Sequence, residues 1–529
     1  MDVGSAVPTT APHQTQPPRQ RWWGPYLRAG LAPVLVMLPL LAMAPKADNR
    51  FNPYRFGGEY ATRPWLVVSD QLRSIPTYLE SGTFRPLGRM MERSLDLLTF
   101  HVSSALTVPM NVAMRLVYLV AVGVLASVLV VLAETVTAPA PLRRTPPSTA
   151  TLLVPFAFAA GLIAAGGLSS VVIFTDLYFL STAIVLGVAA AAARYGPSTR
   201  THLSAGGALA SVVVGAALAS FNEVAYLAPP LALVAVVARG RLTLAQPWGV
   251  LARSAAVKAV GLGWLGFLLV LVPIRAIIAS NCADGSCYDN STIAVGPELL
   301  PALGHRLVSW VPLPAYWGAA TGGGDLWAVV RNPVTYLLAL ALAGVAVAGW
   351  RRRDELRALT RGELLALAAA GTALLVMGAG LAASSEAVQR DVAEAWPVGS
   401  GWRETQLTVA GGSLLVTAAL LALNEYRRAW LRRGMIGLVS LAVATLVSNQ
   451  ALVWTQATRT ESAVLNQIAV AVTNFVDSED GDAVRCRLLE DFVAIDPDRD
   501  DWHTRLEHAL DAATQTRYSR DFCAAEVRS

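Results

Sequence analysis

Eleven apolar stretches, each near the length needed to cross a bilayer, recur along this 529-residue chain and leave it one kind of solvent. They lie near 28–44, 111–133, 151–173, 176–193, 203–221, 224–239, 255–275, 333–350, 363–383, 406–425 and 435–454. In hydrocarbon every backbone N–H and C=O must find its partner inside the protein, and an isolated span does that only as a helix. The expected fold is therefore an all-α polytopic membrane protein with about eleven transmembrane helices. A hydrophobic content of 54%, with 15% charged residues and a mean hydropathy of +0.47, excludes an ordinary soluble domain. Lysine occurs only at Lys46 and Lys258, and Ala, Val, Leu and Gly fill the apolar runs. That bias is what a GC-rich bacterial genome produces, so a bacterial cell membrane is the expected location.

The short connections set the expected orientation. Arg143 and Arg144, Arg194 and Arg200, Arg239, Arg241 and Arg253, Arg351 to Arg353 with Arg357 and Arg361, and Arg427, Arg428, Arg432 and Arg433 all fall on one side of such a bundle. By the positive-inside bias that side is cytoplasmic, which puts the N-terminus inside and the C-terminus outside. The net charge of +5 comes largely from these clusters and reads as topology, not as nucleic-acid binding. Residues 1–26 begin with a Pro-, Thr- and Gln-rich stretch and are expected to be a disordered cytoplasmic tail. The first apolar run follows Arg19, Arg21 and Arg28 and is read as an uncleaved anchor. Residues 27–454 then form the multi-span domain, with external loops at 45–108 and 276–332 and a shorter one at 384–405. An external helical segment covers 455–529. All four cysteines fall on the external side, and pairing Cys282 with Cys287 and Cys486 with Cys523 suits an oxidising compartment.

The loop 45–108 is too long and too charged to be a simple connector. Arg85, Arg89 and Arg93 recur every four residues around Pro86, which suits the first turn of a helix, and form one stripe opposite Leu87, Met90, Met91, Leu95 and Leu98. This is an amphipathic helix whose arginines either hold a phosphate or form a solvated face drawn to anionic headgroups. Earlier in the loop, GGEYATRPW sets Glu59 beside Tyr60 and four residues before Arg63. A carboxylate there is able to act as a general base, or simply to pair with Arg63, and Asp48 and Asp70 compete for the same role.

Asp176 in FTDLYF and Glu223 in SFNEVAYLAPP stand at external ends of apolar hairpins, where an acid is either functional or a cap. Arg115 and Arg275 at span edges read as snorkelling side chains. His305, Arg306, Trp310, Tyr316, Trp317, Asp325 and Trp327 in the second loop form either an aromatic belt or a sugar-stacking platform. Asn290-Ser291-Thr292 matches a glycosylation sequon and is read as a chance match. No HExxH, Walker loop, dinucleotide fingerprint, CxxC or GxSxG motif occurs, so soluble-type ATPase, redox and hydrolase chemistry has no support. Carboxylates alone are able to bind Mg²⁺ or Mn²⁺, but no ligand spacing demands a metal.

The overall plan resembles the GT-C superfamily of multi-span glycosyltransferases that use polyprenyl-phosphate-linked sugars. The likeness rests on an N-in first span, a long external first loop with an acid and an amphipathic helix, acids in later external loops, and a soluble C-terminal portion. Glu59-Tyr60-Ala61 in GEYA resembles the acid-acid-x-Tyr signature of that loop, with Gly58 in place of the first acid, and FNEVAYLAPP with Glu223 resembles the acid-plus-proline segment at a later hairpin. The resemblance implies an inverting transfer from a polyprenyl-phosphate sugar to a polysaccharide, glycolipid or protein acceptor at the bilayer's external face. Glu59, or failing it Asp48 or Asp70, would activate the acceptor hydroxyl. Arg85 and Arg89, with Arg93 and Arg63, would hold the lipid phosphate, and Asp176 and Glu223 would support them. A transporter or flippase, a polymerase or ligase of lipid-linked glycans, and a non-catalytic envelope protein are the alternatives. Convergence of Glu59, Asp176 and Glu223 on one cavity with Arg85 or Arg89 would favour the enzyme, scattered acids the non-catalytic envelope protein, and a through-going polar path the transporter.

Overall fold

The computed structural model describes residues 24–163, 169–195, 201–283, 287, 292–313, 316, 326–394, 401, 403–426 and 429–523. Most of the expected tail at 1–26, the sequon residues Asn290 and Ser291, and Trp317 and Asp325 lie outside these residues. Secondary structure among the described residues is helical, apart from two isolated bridges that join Ser148 to Arg357 and Ile293 to Ser385.

The chain opens with α1 (Gly24–Ala42) and then builds four helices within the first loop: α2 (Asn52–Tyr60), α3 (Leu66–Arg73), α4 (Ile75–Glu80) and α5 (Pro86–Leu106). The bundle continues through α6 (Met110–Thr137), α7 (Ala150–Gly161), α8 (Thr175–Tyr195), α9 (Ala205–Ala219), α10 (Glu223–Thr243) and α11 (Ala255–Asn281). It closes with α12 (Pro333–Arg351), α13 (Arg361–Ala383), α14 (Thr405–Tyr426) and α15 (Ala429–Ala457), and the tail adds α16 (Thr460–Thr473), α17 (Glu479–Ile495) and α18 (Asp500–Tyr518). Every apolar stretch read from the sequence contains a helix. Nine of these helices, among the described residues, are long and apolar enough to cross a membrane; α7 and α9 are shorter.

The stretch at 151–173 departs most from expectation, because its helix stops at Gly161. At ~1.5 Å per residue a 12-residue helix covers ~18 Å, too little for a ~30 Å hydrocarbon layer. The backbone carbonyls freed by the break are taken by side chains from other helices. Asn449 donates to Leu162 O at 3.1 Å and to Val36 O at 3.1 Å, Gln406 donates to Ser170 O at 3.1 Å, and the Arg115 guanidinium reaches Val172 O. Broken helices survive in apolar surroundings on this condition. Arg115 is thus buried inside the protein, with both terminal nitrogens donating to backbone carbonyls, and does not snorkel, being 2% exposed.

The arginine-rich connections gather at one end of the bundle. Arg239 donates to the carbonyls of Ala138 and Ala193, and Arg357 binds both Glu363 and the carbonyl of Thr137. Glu134, at that end of α6, accepts from Ser148 N at 3.0 Å.

The opposite end carries a cap formed by the first loop and the tail together. Phe51, Tyr54, Phe100 and Met110 share one apolar core with Leu465, Ile468, Leu506, Leu510 and Phe522, so α16 to α18 have no core apart from the loop. Two close crossings make this possible. A Cβ on Gly57 would fall 2.5 Å from Phe100 Cβ on α5, and one on Gly58 would fall 2.5 Å from the carbonyl carbon of Ala512 on α18. The glycine pair therefore lets α2 be clamped from both sides. Lys46 Nζ lies 3.0 Å from Glu461 Oε2 on α16, and Arg50 pairs with the same carboxylate.

Both expected disulfides are formed, with Cα–Cα separations of 5.3 Å for Cys282–Cys287 and 5.0 Å for Cys486–Cys523. The first seats against Gly82 in the turn after α4, where φ is +81° and a Cβ would stand 2.9 Å from Cys287 Cβ. The second closes a sequence separation of 37 residues within the tail, a constraint worth about 4 kcal/mol on the chain-entropy account. Replacing Cys486 and Cys523 by Ser is expected to open the tail. Limited proteolysis in detergent should then cut between α16 and α18 at least tenfold faster, while the bundle helices stay protected.

Candidate functional site

The loop helix α5 opens with Pro86 in its first turn, as its sequence requires, and its N-terminus is drawn close to the start of α10. Leu87 N donates to Ser220 O at 3.0 Å, and a Cβ on Gly88 would collide with the carbonyl of Phe221. On a helix, Arg85, Arg89, Glu92, Arg93 and Asp96 fall within an arc of about 100°. That face does not lie on the surface. Glu92 and Arg93 are 7% and 6% exposed, with α2 and the membrane helix α8 packed beside them, so the stripe expected to meet headgroups or water is turned inward.

Buried charges must be paired, and these are. Arg89 Nη1 stands 2.8 Å from Glu92 Oε2, Arg93 Nη1 lies 3.5 Å from Glu92 Oε1 and 2.9 Å from Asp96 Oδ2, and Asn52 Nδ2 donates to Glu92 at 3.4 Å. Arg93 also lies over the Phe56 ring at 3.4 Å, and Arg89 over Tyr78 at 5.5 Å. Burial works against the Glu92 carboxylate, but Arg93, Arg89 and Arg85 outweigh it and hold its pKa below the usual range. Asp96 goes the other way: burial, aided by the Glu92 and Asp176 carboxylates and opposed by Arg93, pushes it up to about 8. At pH 7 the stripe thus carries three arginines against one ionised acid, a balance of +2. The Nε–H groups of Arg85, Arg89 and Arg93 are all buried without an acceptor. Orphan guanidinium donors on an electropositive face are what an anion's oxygens satisfy.

Above this stripe opens a cleft of about 150 Å³, lined by Asp48, Phe51, Asn52, Arg55, Phe56, Tyr78, Arg89, Arg93 and, from the tail, Arg505. Asp48 Oδ1 accepts from Arg505 Nη2 at 3.0 Å. The candidate acids of the loop therefore separate. Asp48 is in the cleft. Glu59 lies on the outer surface of α2, paired at 3.0 Å with Arg55 and not with Arg63, which is exposed. Asp70 sits on the rim of α3, hydrogen-bonded by Ser69 at 3.3 Å and 4.0 Å from Arg73. Gly58, which holds the place of a first acid, is occupied by the α18 crossing, so a carboxylate there has no room.

Asp176 and Glu223 flank the buried end of the stripe. Asp176 caps the first turn of α8, accepting from Leu177 N at 2.9 Å, within electrostatic reach of Arg115, Tyr118 and Asp96. Tyr118 in turn accepts from Asn49 at 2.6 Å. Glu223 faces Arg403 at 3.9 Å, and Arg85 and Arg275 also act on it. Asp176 thus lies within electrostatic reach of Glu92 and Asp96, and Glu223 within reach of Arg85, but neither lines the cleft with Arg89 and Arg93. Glu59, Arg63 and Asp70 stand outside it as well, so the expected convergence of Glu59, Asp176 and Glu223 on one cavity does not occur, and Asp48 is the loop acid that lines the cleft. Sequence reading gave Glu92 and Asp96 no role, although each stands three residues after an arginine, Arg89 and Arg93, on the same face. Arg403 and Arg505 had no local signal, since Arg505 lies 457 residues from its partner.

Among the described residues no group of three or more His, Cys, Asp or Glu stands in a metal-holding arrangement, so no residue is assigned to Mg²⁺ or Mn²⁺. In the second loop, Arg306 is buried against Glu404 at 3.3 Å, a structural ion pair, and Tyr316 donates to Leu441 O at 2.9 Å. Fold and site together define a polytopic helical membrane protein whose cap encloses an arginine-lined cleft. No family model matches the chain, and neither the curated proteins nor the solved structures yield a match.

Ionising Asp96 lowers the balance of the stripe from +2 to +1, so anion affinity should weaken as pH rises through about 8. Titrating a phosphate monoester against the purified protein from pH 6.5 to 9.5 should show this decline, and Asp96→Asn should flatten it.

Proposed function

We propose that the protein is a membrane glycosyltransferase that moves a sugar from a polyprenyl-phosphate donor to an envelope acceptor hydroxyl with inversion. The observation that carries this reading is the meeting of a carboxylate, Asp48, with Arg89 and Arg93 across one cleft in the cap. In the proposed step Asp48 takes the acceptor's hydroxyl proton while that oxygen attacks the anomeric carbon. The bond from that carbon to the phosphate oxygen breaks, and its electron pair leaves with the lipid phosphate. Arg89 and Arg93 stabilise the charge that develops there. Glu92 is already committed to holding both guanidinium groups and is a positioning residue. Glu59 has no part in this arrangement.

A transporter would need ionisable groups near the bilayer midplane. The long helix α6 has none between Arg115 and Glu134, one group in its second turn and the other in its last turn. Both are engaged by backbone groups, Arg115 by the carbonyl of Val172 and Glu134 by the N–H of Ser148, which favours chemistry at one face over passage through the bundle.

The test compares lipid-linked saccharides in a deletion strain complemented with variants. Asp48→Asn is expected to reduce transfer by 10²-fold or more at normal protein level, in line with loss of a general base, and Glu59→Gln to leave it within about twofold. Loss in Glu59→Gln with full activity in Asp48→Asn would move the catalytic role to Glu59. Unchanged saccharides in the deletion strain itself would remove the glycosyltransferase reading.

A further inference from the structure

We infer that the C-terminal segment supplies a ligand-binding residue to the cleft, Arg505, which grips the phosphate of the donor together with Arg89 and Arg93 and positions Asp48. This rests on the proposed donor class and adds to it a residue from the far end of the chain. Arg505 extends from α18, donates to Asp48 at 3.0 Å and lies over the Phe51 ring at 4.7 Å. Its guanidinium and those of Arg89 and Arg93 line the same small cleft from two different chain segments. The Phe51 ring and the Asp48 carboxylate orient the planar fork, and with side chains 41% and 46% exposed the Arg505–Asp48 pair stays open to an incoming phosphate.

The placement of Arg505 is determined by the whole tail. α18 is seated where Gly58 meets Ala512, Thr516 Oγ1 donates to Gly58 O at 3.0 Å, and Arg517 donates to Phe100 O at 3.2 Å. α16 is tied to α6 by Asn111, which donates to Asn466 at 2.8 Å, and to the loop by Glu461. A tail serving only as a cover would not need an arginine in the cleft. Here the cover carries one of its walls.

The experiment uses the full-length protein in detergent, with a short-chain polyprenyl phosphate as probe and inorganic phosphate as competitor. Arg505→Gln is expected to weaken probe binding about tenfold or more, Arg505→Lys to restore part of it, and Arg499→Ala to leave it unchanged. Arg499 is the control because it pairs with Asp496 and lies over Trp502 on the same helix without lining the cleft. Inorganic phosphate should displace the probe from the wild type, which identifies the phosphate and not the prenyl chain as the group being gripped. Limited proteolysis of each variant reports whether the tail stays docked.

Wild-type affinity in Arg505→Gln, or displacement by phosphate equally from wild type and Arg505→Gln, would overturn the assignment. So would equal loss in Arg505→Gln and Arg505→Lys with the tail detached. In transfer assays Arg505→Lys should raise KM for the donor more than it lowers kcat. Binding that depends on Arg505 in a protein that transfers no sugar would leave this inference standing and remove the glycosyltransferase reading.

Discussion

The cap depends on the burial of a charged helix face against the membrane domain. Removing one member of a buried ion pair typically costs about 3–5 kcal/mol, because the partner is left charged in a poor solvent. Glu92 stands at the centre of that constraint, 2.8 Å from Arg89 and 3.5 Å from Arg93. Its two oxygens fix the rotamers of both arginines and thereby the floor of the cleft. Asp96, buried beside the Glu92 carboxylate, is pushed the other way and holds its proton to about pH 8. The result is a face that stays electropositive without being solvated, and whose spare N–H donors point where water has little access.

This explains why the glycines of the region matter as much as its charges. Gly58 and Gly88 each mark a place where two backbones approach too closely for a side chain, and Gly57 leaves the room that the Phe100 side chain fills. Together they draw α5 onto α2 and toward the start of α10, and α18 onto α2 from the other side. Without such approaches the arginines would reach water and lose the low-dielectric setting that strengthens each contact. The resemblance to an acid-acid-x-Tyr signature therefore breaks at Gly58 for a packing reason: the position is spent on holding the tail.

The sequence made the membrane class, the helical content and both disulfides legible, because apolar length and cysteine placement are local signals. Eleven apolar stretches were readable, but the early stop at Gly161 was not, since it depends on Asn449, Gln406 and Arg115 arriving from elsewhere to take the carbonyls. The arginine stripe was readable as a stripe. Its direction was not, because an amphipathic helix beside a membrane presents the same pattern whether its polar face meets water or a buried acid on its own surface. Among the candidate acids, sequence context favoured Glu59, while its exposure and its pairing with Arg55 emerge only from how α2 is rolled between α5 and α18. Arg505 shows the limit most plainly: nothing in DDWHTRLEHAL distinguishes it from the solvated arginine of any amphipathic helix.

The shared core of loop and tail also bears on how the protein is made. Phe51, Tyr54 and Phe100 emerge from the ribosome more than 400 residues before Leu506, Leu510 and Phe522, which cover them. Until then the apolar side of the first loop stays bare while the helices of the bundle between them are made. The cleft is thus among the last features to form, and a chain interrupted before residue 500 lacks both Arg505 and the cover of its own first loop. Such long-range closure is slow and exposes the intermediate to aggregation.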